Sequence, residues 1–406
     1  MPLQPRIETV HIKNFRSIPS QIVRVSSPTF LIGANGSGKS NFVDVFAFLA
    51  DAMELPLQTV FDRRGGISAV RHRTPLETNN AIGIGIELSN LAAAEIDTAV
   101  KTARYAFEAR EMGGLEIEVV REQCILDLMN GRTVWFEREG GRLRSNLDWF
   151  NEFKGRWLSS SSLAMSVFGS VSPFSALYGL LRRMKVYSID PEVISGFQEA
   201  DSGLTLRSDG GNAASVLSQV KRASQDDFHR IGELLAAVSP GIDEVRPSRH
   251  GKFVGFEFVQ RWGEKNELTF DAFSMSKGTL RALGILLAVY QRTKPFLIVI
   301  EEPEASLHPG AVNTILDVLR HASQTMQVII TTQSPEVLDS EWLTDEDIRF
   351  VSWGEGKTTV SDLAESSRTA IRKHLMGIGE MLRSNVLEPA SLFLTLREPS
   401  LFRELE

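Results

Sequence analysis

Between Arg6 and Ile32 apolar residues first alternate with polar ones, in IETVHIKNF and QIVRV, and then run together in TFLI. Alternation with a period of two marks a strand with one buried face, and a short unbroken apolar run marks one buried on both. The pattern predicts two paired strands feeding a third that ends at Gly33. After Lys39 the period lengthens: NFVDVFAFLADAM places Phe42, Val45, Phe46, Leu49 and Met53 on one face of a helix.

From Ala81 to Glu139 the period returns to two, through AIGIGIEL, ARYAFEAR, LEIEVVREQCIL and RTVWFERE, which predicts an antiparallel meander. Residues 140–180 are rich in serine and glycine and read as mixed loop and helix. KVYSID then reads as a strand, NAASVLSQVKR and FHRIGELLAAV as two helices, and VGFEFVQRW with ELTFDAF as a hairpin. Beyond residue 279, helices alternate with the buried runs FLIVI, QVIITT and IRFVSW. That alternation implies an α/β protein with a mostly parallel core sheet flanked by helices, built from both ends of the chain, with a β-lobe and a helical/β region inserted. The expected segments are 1–80 and 271–360 for the two core halves, 81–270 for the insertion and 361–406 for a helical end. No fixed-period repeat or heptad tract interrupts this reading.

The 406 residues carry 42% hydrophobic and 23% charged side chains, enough apolar material for one large core or two modest ones. A net charge of −7 removes any global positive field for nucleic acid, so such contact would have to be local. A single cysteine, Cys124, excludes an internal disulfide and a multi-thiolate metal site; it falls in an apolar run and is expected to be buried. The N-terminus has no signal-like apolar segment, and nowhere do about 18 uncharged apolar residues run together. A cytoplasmic protein without membrane contact is the expectation.

The stretch GANGSGKS, Gly33 to Ser40, matches G-x-x-x-x-G-K-[ST] with a strand before it and a helix after it. Glycines at 33, 36 and 38 let backbone N–H groups of Gly33, Ala34, Asn35, Gly36, Ser37 and Gly38 turn toward phosphate oxygens, and the helix start at Lys39 adds its positive end. Lys39 would meet the β and γ phosphates of ATP, Ser40 would ligate Mg²⁺, and Asn41 continues the cradle. The second decisive run, FLIVIEEPEASLHP, ends a buried strand in two carboxylates. Glu301 would serve the Mg²⁺ shell, and Glu302 would polarise the attacking water.

Ser276-Lys277-Gly278-Thr279 opens a helix one helix length before that acidic strand. With IKNFRSI, the phosphate loop, EEPEASLHP and TTQSPEVLD in this order, the chain resembles the ABC-type ATPase heads of the RecF, SMC and OLD group, especially the stand-alone AAA-type ATPases of bacteria. The resemblance spans nearly the whole chain and implies a P-loop NTPase fold of ABC type. It also implies a slow ATPase whose catalysis needs a homodimer, with ATP held between two heads. One copy would offer Gly33 to Asn41, Glu301 and Glu302, while the other presents Ser276, Lys277, Gly278 and Thr279. Arg16 resembles the basic residue such heads place near the nucleotide. Gln333 stands where many have a switch histidine; a carboxamide orients water but does not exchange a proton near neutral pH.

Three departures qualify the resemblance. Lys277 stands where glycine or aspartate is usual, either to clamp a phosphate or to face solvent. Glu301 replaces the commoner aspartate, which suits slow turnover. The glutamine that leads into the inserted lobe is not obvious, with Gln58 and residues 71–73 as candidates. His308 reads as a capping or surface histidine. No Toprim-like DxD segment or zinc-hook CxxC is found, so the output is expected to pass to a separate effector protein, in genome maintenance or anti-phage defence. The alternative is a RecF-like DNA-binding repair ATPase, for which Arg63-Arg64, Arg71-His72-Arg73 and Arg182-Arg183-Lys185 are the candidate backbone contacts.

Overall fold

The fold is described from a computed structural model, which places residues 4–73, 81–91, 99–113, 116–148, 158–262, 266–390 and 400–405. The chain divides into two compact units. One holds residues 1–184, 348–366 and 388–406, the other 185–347 and 367–387.

In the first unit, Arg6–Phe15 and Ile18–Arg24 pair antiparallel as their alternation predicts. Arg6–Phe15 also pairs with Ile82–Leu91, so these strands are continuous with the meander. The sheet runs Ile18–Arg24, Arg6–Phe15, Ile82–Leu91, Val100–Glu111, Ile117–Leu128, Thr133–Glu139, Arg142–Ser145. The helix Lys39–Glu54 carries the expected face, with Phe42, Val45, Phe46, Leu49 and Met53 all buried. Phe48 adds to it, its ring 5.5 Å from Phe15 and 6.3 Å from Phe107, both on sheet strands. Aromatic pairs at these separations add about 0.5–1.5 kcal/mol each beyond area burial, and here they fix the helix on the sheet. The strand Thr29–Ile32, buried throughout, pairs in parallel with Ile348–Gly354, which turns back antiparallel into Lys357–Ser361.

Cys124 is buried, as its apolar run predicts. Beside it lies the buried carboxylate of Glu122. One oxygen accepts from the Tyr105 hydroxyl and the Met165 N–H, both at 2.8 Å, and the other from the Ala164 N–H at 2.6 Å. Burial pushes this carboxyl above its ordinary range. The group pins the start of the helix Ala164–Phe168, within the serine-rich region. Glu122→Gln would set an amide donor against the Ala164 N–H donor. A loss of about 1–3 kcal/mol is expected, read as a lower thermal midpoint.

In the second unit Leu297–Glu301 and Gln327–Thr332 form a buried parallel pair in register Ile300 to Ile330 and Glu301 to Thr331. The helices Ala213–Ala223, Gln225–Val238, Lys277–Tyr290 and Pro309–Ala322 lie where the 3.6-residue period places them. Phe253–Trp262 pairs antiparallel with Asn266–Asp271, the expected hairpin, and on its other edge with Glu244–His250. Among the described residues of 361–406, Glu365–Arg372 and Ile378–Arg383 are helices.

Candidate functional site

The phosphate loop is built by close approach. Gly33 follows the buried strand, and a Cβ there would stand 2.2 Å from the Val351 carbonyl oxygen. Gly36 and Gly38 take φ of +74° and +103°, a left-handed region that side chains disfavour. A Cβ on Gly38 would also fall 2.0 Å from Thr358 Oγ1. Gly38→Ala is therefore expected to cost about 1–3 kcal/mol in stability, checked by the denaturation midpoint of the otherwise intact protein.

Thr358 is the outer brace of this loop. Its hydroxyl donates to the Ser37 carbonyl at 2.9 Å and lies 2.6 Å from Ser17 Oγ, while Asn41 Nδ2 donates to that same Ser17 oxygen at 2.6 Å. The result is a curl of backbone, turned by the Ser37 N–H bond to the Ala34 carbonyl, that ends at a 16-residue helix whose first turn no side chain caps. Amides and the helix dipole there both favour an anion. Lys39 is 7% exposed and donates Nζ to the carbonyls of Gly33 at 2.7 Å and Ala34 at 3.1 Å. Ala34, Asn35, Gly36 and Ser40 are exposed, and Ser37 is buried with an Oγ that has no hydrogen-bond partner.

Arg16, expected near the nucleotide, is paired with the helix that follows the phosphate loop. Its Nε and Nη2 donate to Asp44 Oδ2 at 3.0 and 2.8 Å, and Nη1 to the Ala69 carbonyl at 3.3 Å. Gln58 accepts from the Ile117 N–H and donates to Asp62, and Arg71 lies 3.8 Å from Glu111. All are engaged within the first unit.

In the second unit the two parallel strands deliver Glu301, Glu302 and Gln333 to their carboxyl ends, where α/β sheets place ligands. Glu302 has φ +44°, and its N–H donates to the Thr331 carbonyl at 3.0 Å and lies 3.2 Å from Thr331 Oγ1. Two charged residues here escaped the sequence reading. Glu304 accepts from Thr332 Oγ1 at 2.6 Å, and burial pushes its carboxyl up, aided by the Glu302 charge. Arg281 donates to the carbonyls of Glu301, Glu302 and Ile189, and burial pulls its pKa down. The spacing E-E-x-E and an arginine amid the apolar residues of the helix after Ser276 were the available signals. Gln333 is exposed, and its backbone supports the Glu304 carboxylate.

Ser276 caps the helix Lys277–Tyr290 by accepting from the Thr279 N–H at 3.0 Å. Thr279 is buried, its hydroxyl donating to Ser239 Oγ at 3.0 Å, and a Cβ on buried Gly278 would meet the Ser306 carbonyl at 2.4 Å. Ser276 and Lys277 are exposed, and Lys277 pairs with Glu192 at 2.7 Å. His308 caps the next helix, accepting from the Gly310 N–H at 3.2 Å.

With this geometry in hand, the family model described as "AAA domain, putative AbiEii toxin, Type IV TA system" matches residues 29–91 and 179–339, more than half of the chain. The chain belongs to this AAA domain family. Both the phosphate loop and the acidic strand lie within the matched segments. The AAA-domain chain is also 25% identical over 357 residues to the Old nuclease of Escherichia phage P2; the match covers 83% of the chain and spans 58% of that protein. Among solved structures, the SMC head bound to the C-terminal winged-helix domain of ScpA has a TM-score of 0.52 at 16% identity, over 89% of the chain and 98% of that head. Its likeness concerns the fold, an α/β P-loop NTPase head with mixed sheets. The ABC-type resemblance read from the sequence is thereby shown. Among the described residues no helix is long and apolar enough to cross a membrane.

Proposed function

We propose that this chain binds and slowly hydrolyses ATP, and that two copies close around the nucleotide to form a switch read by a separate effector protein. One observation carries the reading: the loop Gly33–Ser40 is an amide cradle that side chains would fill, at an uncapped helix start, with Lys39 inside it. Its amides and Lys39 bind the phosphates. The exposed Ser40 hydroxyl and the Glu301 carboxylate are hard oxygen donors of the kind Mg²⁺ takes, so these two would hold Mg²⁺, which when bound neutralises phosphate charge. Glu302 takes the proton of the attacking water and Gln333 orients that water. Ser276, Lys277, Gly278 and Thr279 of the second copy meet the terminal phosphate, where a helix start favours negative charge.

The DNA-binding alternative gains little from three of the clustered arginines. Arg64 pairs with Asp44 and Asp51, Arg71 faces Glu111, and Arg182 pairs with Glu54. These three arginines already have counter-charges. The phage relative is named a nuclease; a nuclease partner is one form the effector could take, and assembly with purified candidates tests it. The ATPase reading itself is tested by calorimetric titration with Mg·ATP and by phosphate release. Absence of both from the folded protein would sink it.

A further inference from the structure

The helix that opens at Ser276 carries a cation to which the proposed function assigns no role. Arg281 donates Nη2 to the carbonyl oxygens of Glu301 at 2.8 Å and Glu302 at 2.9 Å, and Nη1 to that of Ile189 at 2.8 Å. One planar guanidinium thus grips three carbonyls, a fork that lysine's single ammonium does not reproduce. What it grips is the bend where the strand ends. Glu302 sits there at φ +44°, strained for any residue with a side chain, and persists only because its surroundings hold it.

The opposite side of the bend is held by the Glu302 N–H bond to the Thr331 carbonyl, with Thr331 Oγ1 close by. The direction of the Glu302 side chain is therefore set by a clamp, one jaw of which is the helix Lys277–Tyr290. The start of that helix also lies tightly against the segment after the acidic strand, Gly278 against the Ser306 carbonyl. Nothing in the clamp is a closed ion pair. Arg281 Nε is buried without a hydrogen-bond partner, as is Glu304 Oε2. Carbonyl dipoles hold the arginine, and those bonds are sensitive to small displacements of the helix start.

We propose that Arg281 is a positioning residue that couples the Ser276 turn to the Glu302 carboxylate of the same chain. Contact of a nucleotide's terminal phosphate with that turn then sets the aim of the group that takes the water's proton. This rests on the ATPase reading above and adds to it a route by which each copy's hydrolysis senses the other's nucleotide.

The test compares Arg281→Lys and Arg281→Gln with the unsubstituted full chain, in Mg·ATP titrations and steady-state hydrolysis. It adds ATP-induced dimerisation on a Glu302→Gln background. A misplacement of about 1 Å costs about 10²-fold in rate, so kcat is expected to fall roughly ten- to a hundredfold. ATP affinity and dimerisation should be retained, with Arg281→Lys intermediate because it keeps the charge on a single donor nitrogen. A folded Arg281→Gln with unchanged kcat overturns the proposal, as does a parallel loss of affinity, dimerisation and rate. Should Arg281→Gln not fold, Arg281→Lys decides: kcat must fall while ATP affinity and dimerisation are retained. An unsubstituted chain that binds no ATP defeats the ATPase reading itself, an outcome distinct from failure of the clamp.

Discussion

Replacing Lys39 with methionine is expected to remove measurable ATP binding and to lower hydrolysis by about 10²–10³-fold, the usual effect of deleting one preorganised charge-stabilising donor. Methionine keeps the length and apolar stem of the side chain and discards only the ammonium. The ammonium now bonds the carbonyls of Gly33 and Ala34, which places it inside the curl. Phosphate oxygens, with full negative charge, compete well for the same donor, because a charge-assisted hydrogen bond is roughly twice as strong as a neutral one. Loss of two loop bonds would also loosen the curl, so the thermal midpoint is measured beside the calorimetric titration. A variant that keeps the midpoint and still binds ATP as tightly as the unsubstituted chain would remove the loop from the mechanism.

How much of this was legible in the sequence differs from one residue to the next. The phosphate loop was legible because its requirement is local: Gly36 and Gly38 supply positive φ, and their neighbours in sequence are their neighbours in space. The helix face from Phe42 to Met53 was legible for the same reason. What sequence could not give is who braces whom across a long separation. Thr358 lies 341 residues from Ser17 and reads as an ordinary strand threonine, yet its hydroxyl holds the loop. The pairing of Arg6–Phe15 with Ile82–Leu91 is equally invisible, since alternation tells a strand which face is buried but not which edge is shared. Arg16 was assigned by its place in NFRSI, and its pairing with Asp44 on the helix after the loop shows only in three dimensions. Arg281 and Glu304 were passed over because a charged residue near apolar ones reads as a solvated edge, whereas both lie mostly out of water.

Glu302→Gln should separate binding from chemistry in a way no other single change does. The carboxamide is nearly isosteric, keeps an acceptor oxygen and leaves the backbone contacts with Thr331 and Arg281 untouched, so the bend at φ +44° has no reason to relax. What it loses is the ability to take a proton, a contribution of about 10²–10⁴-fold in a positioned general base. Hydrolysis should therefore fall by that factor while ATP affinity stays within a few-fold. If two copies close around the nucleotide, the uncleaved ATP then holds them closed, and the variant should elute as a dimer with Mg·ATP and as a monomer without it. Ligand that binds only the closed state stabilises it as RT ln(1 + [L]/Kd), about 2.7 kcal/mol at a hundredfold excess over Kd, and trapping lets that term persist. The two readouts answer different questions. Loss of turnover without an ATP-dependent dimer would keep Glu302 as the base and discard the paired switch. Unchanged turnover would discard the assignment of Glu302 itself, whatever the oligomeric state.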